Sequence, residues 1–163
     1  MKIAIANSVK LLRVRMDLLR LEVCEGKAGE FIRAQFRCGK GTITELIIDP
    51  MQSDEGGTLR ICNFKCGTVP DGIDARDLCE RLSTILSVGH LTIFAQEDRE
   101  IGYLGQQFFD GTCPPTGVLN RLIDEALLAA RLWKAAMKIA AEAEGKKVGI
   151  KEMLPACPSV ALN

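Results

Sequence analysis

Apolar positions alternate singly with polar ones through the middle of the chain and recur at three- and four-residue steps toward its end. The clearest run is the last. Leu119, Leu122, Ile123, Ala126, Leu127, Ala130, Trp133, Met137 and Ala140 form one helical stripe. Arg121, Asp124, Glu125, Arg131, Lys134 and Lys138 fall on the other side. Pro114-Pro115 precedes a capping Thr116, so the pattern predicts a helix over residues 116–144. A second helix is predicted over 75–87, capped by Asp74 and ended by Gly89, with Leu78, Leu82, Ile85 and Leu86 on one face.

Between and before these helices the period changes to two. Residues 31–38 alternate Phe31, Arg33, Gln35 and Arg37 with Ile32, Ala34, Phe36 and Cys38. Gly39-Lys40-Gly41 is a tight turn, residues 42–48 are β-branched and apolar, and Pro50 is expected to stop that strand. Residues 52–57 read as a loop, and Leu59 to Cys66 alternate again. Connections this short favour an antiparallel meander of three strands. A hairpin is predicted over 91–110, its turn near Asp98 to Glu100.

The first segment carries two periods. Val9, Leu12, Met16, Leu19 and Val23 suit a helix over about 7–25, capped by Asn7 or Ser8. Leu12, Val14, Met16 and Leu18, alternating with Arg13, Arg15 and Asp17, suit a strand. A helix is expected. The fold class is then α+β: helix, three-stranded meander, helix, β-hairpin, long C-terminal helix. One domain is expected over residues 1–144, followed by a C-terminal tail over 145–163.

Composition narrows the function classes. Lys plus Arg and Asp plus Glu are both 21, so no global basic excess marks a nucleic-acid binder. The first forty residues lean basic and residues 41–111 lean acidic, a split that can be matched within the fold or across a dimer. No stretch approaches the roughly 18 apolar residues of a membrane span. No secretory signal is visible, so a cytoplasmic setting with reduced cysteines is expected.

Few residues form a pattern that carries chemistry. Cys62 and Cys66 are the sharpest pair, and a thiol or redox role through them is one alternative. As strand residues four apart they would share a face about 13 Å from each other, too far for a disulfide. Their three-residue spacing is not that of the thioredoxin motif. His90, the single histidine, is expected beside a helix end. Glu97, Asp98 and Glu100 sit at the hairpin tip, where carboxylates are solvated. Lys40-Gly41-Thr42 lacks the following helix of a phosphate loop. No catalytic, cofactor or metal residue is assigned, and an enzyme is not expected. Leu127, Ala130, Trp133 and Met137 are the candidate contact residues, either helix-to-sheet or between protomers. A small-ligand site in the concavity between sheet and helices is a further alternative.

The order of elements, with strand Thr58–Cys66 closing into Pro70-Asp71-Gly72, helix Arg76–Ser87, hairpin Leu91–Phe109 and helix Leu119–Ala141, resembles the type III secretion chaperone fold. It is also similar to the YbjN-like group of sensory transduction regulators. The resemblance spans roughly residues 8–144 and implies a small non-enzymatic homodimer that binds a protein or peptide partner. The chain departs from many such chaperones in its near-neutral pI and its longer tail.

Overall fold

The computed structural model describes residues 3–53, 56–95 and 99–144. They form helix α1 (Ile3–Leu12), strands β1 (Leu18–Gly26), β2 (Gly29–Arg37), β3 (Ile43–Ser53) and β4 (Gly56–Thr68), helix α2 (Ala75–Ser83), strands β5 (Gly89–Ala95) and β6 (Glu100–Phe109), and helix α3 (Thr116–Glu144). The six strands lie in one sheet in the order β1-β2-β3-β4-β6-β5, every adjacent pair antiparallel. The α+β class and the order of helix, strands, helix, hairpin and helix are as expected.

The first segment divides differently. The helix ends at Leu12, and residues from Leu18 onward pair with β2, so the meander has a fourth strand. Helix α1 buries Ala4, Ile5, Ser8, Val9 and Leu12 along one stripe. Ser8 lies inside it rather than at a cap, its hydroxyl donating to the Ala4 carbonyl at 2.8 Å. Pairing with β2 settles the tie between periods, Lys27-Ala28 making the two-residue turn that folds β1 back against it.

Pro50 does not stop β3. It is buried opposite Leu59, while pairing with β2 ends at Ile48. Beyond that point no described strand pairs with β3 on the β2 side, so the missing N–H breaks no described ladder. Gly56 and Gly57, expected in a loop, begin β4.

Helix α2 is capped as expected: the Asp74 carboxylate accepts from the amides of Arg76 and Asp77 at 3.0 and 3.1 Å. It stops at Ser83, short of the predicted 87, and Ile85 is left exposed. It carries the chain across β6, so β4 and β5 run in the same direction on either side of that strand. The hairpin turn assigned near Asp98 falls partly among residues 96–98, outside the described residues, as does the tail from 145.

All three helices cover one face of the sheet. Ile5, Leu12, Phe36, Ile48, Ile61, Ile101, Leu122 and Trp133 belong to a single buried cluster. Helix α3, about 43 Å long, crosses β4 and β6 on that side. The opposite face of the sheet carries no helix among the described residues. No described helix is long and apolar enough to cross a membrane.

Candidate functional site: a cleft where the sheet parts

The predicted contact residues sit on the covered face. Leu127, Ala130 and Trp133 are buried in the core, and Met137 packs partly against it. They make the helix-to-sheet contact within one chain. The Trp133 ring lies on the backbone of β4, where a Cβ at Gly67 would come within 2.7 Å of its Cδ1 and Nε1. A side chain at 67 would therefore push the indole off its seat.

The cysteine pair is pulled apart by a bulge. Between Asn63 and Gly67 strand β4 advances four positions while β6 advances two, from Tyr103 to Ile101. The extra residues throw Phe64 and Lys65 outward and turn Cys66 into the core. Cys62, before the bulge, belongs to the open face with Arg60 and Asp49. Burial pushes the Cys66 thiol up to about 12 and that of Cys79 up to about 11. Burial raises Cys62 as well. A nucleophilic thiol needs the opposite shift.

His90 is not beside a helix end. It stands exposed on β5 opposite Leu104. Among the described residues no three His, Cys, Asp or Glu side chains converge as a metal site.

Two charged centres escaped the sequence reading because both lie on faces that read as solvated. Glu125 is only 7% exposed. Its carboxylate accepts from the Ser87 amide and hydroxyl, both at 2.7 Å, from the Val88 and Gly89 amides, and from the Tyr103 hydroxyl at 2.9 Å. Burial alone would raise its pKa. The hydrogen bonds from Ser87, Gly89 and Val88 outweigh it and hold the group down at about 2. Burial, and then the bond to Glu125, push the Tyr103 phenol upward. Every acceptor direction is engaged, so Glu125 clasps the α2–β5 connection onto α3.

Arg15 does the same for the α1–β1 turn. Its Nε and Nη2 grip Asp17 at 2.9 and 2.8 Å, Nη2 reaches Asp124 at 2.7 Å, and Nη1 reaches Asn120 at 3.1 Å. The guanidinium also lies 5.5 Å from the centroid of the Phe36 ring.

An apolar concavity lies on the open face. Strands β3 and β4 pair only from Ile47↔Cys62 to Ser53↔Gly56. From Ile43 to Leu46, β3 keeps its β2 partner but has none on the β4 side among the described residues. The parting leaves a cleft of about 600 Å³ walled by Phe31, Ile43, Ile47 and Phe64, with Arg33, Glu45 and Lys65 at its rim. Ile43 is 61% and Phe64 44% exposed, and together in one cleft they make a contiguous apolar surface. Phe64 is propped edge-on by Phe94, centroids 4.8 Å apart. Phe94 in turn lies over Gly102, whose missing Cβ makes room for it.

The cleft is thus on the side away from the helices, whereas the small-ligand alternative placed its site between helices and sheet, where the buried cluster lies. Nothing local in the sequence encodes it, because it follows from the β3–β4 register and the β4 bulge. The chain matches no protein-family model, no curated protein and no solved structure.

Proposed function

We propose that the protein is a non-catalytic binding protein, chaperone-like or regulatory, that works as a homodimer in the cytoplasm and receives an extended apolar segment of a partner protein in the β3–β4 cleft. The observation that carries this reading is the four-residue stretch of β3 that, among the described residues, has no partner on its β4 side and lies beside an apolar wall. An incoming strand can pair with that edge over about 13 Å while its alternate side chains meet Ile43, Ile47 and Phe64. The quiet thiols and the fully engaged Glu125 carboxylate support binding over catalysis. The described cysteines carry no disulfide, which suits a reducing compartment.

The test is an immobilised array of 12-residue peptides with apolar residues at alternate positions, against scrambled controls, probed with the full chain and with Ile43→Asp and Phe64→Ser. Selective capture lost in both variants supports the reading. Capture that ignores the variants, or none at all, overturns it. A thermal shift with a small apolar ligand but no peptide capture would reassign the cleft to the small-ligand alternative.

A further inference from the structure

The two edges of the sheet are unlike each other. On β5 the edge is covered: helix α2 lies against it, and the Leu91 amide donates to the Ser83 hydroxyl at 2.9 Å. On β1 it is bare. Strand β1 pairs with β2 alone, and among the described residues nothing lies along its other side. Nine residues of strand are a long edge to leave open. Leu19 and Val23 are 42% and 40% exposed there, and Val14 and Met16, just ahead of the strand, are 74% and 99% exposed.

The charges on this edge select its occupant. Arg20 and Glu22 lie on the open face on either side of Leu21 and form an ion pair with each other. A second copy running antiparallel, with the two-fold axis at Leu21, sets Arg20 of each chain opposite Glu22 of the other. Leu21 then meets Leu21, within the regular part of the strand that follows the bulge between Leu18 and Arg20. Moving the axis to Arg20 or to Glu22 brings like charges face to face, and moving it to Val23 leaves Glu22 opposite Cys24. Same-face pairing excludes the odd steps between. Of these registers only the one at Leu21 sets Arg20 against Glu22, and it does so twice.

We propose that the homodimer forms by β1-to-β1 pairing centred on Leu21, joining two sheets into one continuous platform with the open faces on the same side. This names the contact for the homodimer proposed above and is separate from peptide capture in the cleft. A two-fold contact of this kind is isologous, so each residue must suit its symmetry mate, which Arg20 and Glu22 do.

Sedimentation velocity of the full chain at micromolar concentration, with Arg20→Glu and Glu22→Arg variants, tests it. The native chain is expected as a dimer. Each single reversal places only like charges across the axis and should weaken dimerisation at least tenfold. An equimolar mixture of the two variants restores every opposite-charge pair and should dimerise again. A monomeric native chain overturns both this contact and the homodimer. A dimer indifferent to the reversals, or a mixture that does not recover, overturns the contact alone. Both positions are exposed, and circular dichroism checks their folding. If either variant fails to fold, Leu21→Cys in the native background decides: a disulfide across the axis supports the contact, and its absence overturns it.

Discussion

Replacing Glu125 with Gln changes one oxygen to an amide and removes the charge from the most heavily hydrogen-bonded side chain among the described residues. The native carboxylate takes donors from Ser87, Val88, Gly89 and Tyr103. A glutamine keeps one acceptor and points two N–H groups at amides that also donate. At least one buried donor is then left unmet, at about 1–3 kcal/mol. The pKa gives a second route to the size. A carboxyl held at about 2 against an ordinary 4.5 contributes on the order of 3 kcal/mol at neutral pH. Because the folded value lies below the unfolded one, that stability is complete above about pH 4.5, falls as the pH drops, and is gone below about 2. Urea unfolding at pH 7 should show Glu125→Gln less stable by about 2–3 kcal/mol. Repeated from pH 6 to pH 3, the native chain should lose more stability than the variant, since the variant has no carboxylate to protonate there. A variant within about 0.5 kcal/mol of the native chain, or one with the same acid dependence, would refute the clasp.

The other predictions concern the core, the first turn and the thiols. Gly67→Ala should displace Trp133, lowering stability by about 1–3 kcal/mol and shifting the emission of the single tryptophan; an unchanged melting temperature and spectrum would refute that contact. Arg15→Met should cost about 1–3 kcal/mol and speed hydrogen exchange across residues 13–18, since it frees Asp17, Asn120 and Asp124 together; normal protection there would count against the hub. At pH 8 a disulfide reagent should label Cys24 and Cys113, both partly exposed, before Cys66 and Cys79, which should react only on unfolding. Early labelling of Cys66 by peptide mapping would contradict its burial.

What could be read from the chain was local. Asp74 announced α2 because a capping carboxylate acts on amides two and three residues away, and α3 announced itself because its stripe repeats over eight turns. Residues 7–25 could not be settled that way. Their two periods coexist, and only the presence of β2 alongside makes Leu18–Gly26 a strand. Glu125 and Asp124 looked alike on the helix wheel. Glu125 is buried because the Ser87–Gly89 connection descends onto it, a contact 36 to 38 residues away in sequence. The cleft was least legible of all, being made by the end of one ladder and a bulge in another.

That bulge has a consequence for how the molecule could have been elaborated. Phe64 and Lys65 are surplus to the β4–β6 ladder: with both excised, Gly67 would still align with Ile101 and Asn63 with Tyr103. The excision would turn Cys66 outward and remove one wall of the cleft, yet leave the strand order and the seat of Trp133 in place. If the cleft receives a partner segment as proposed, its specificity rests on two residues that the β4–β6 ladder does not use, and changes there would leave the ladder's pairing on either side unaltered.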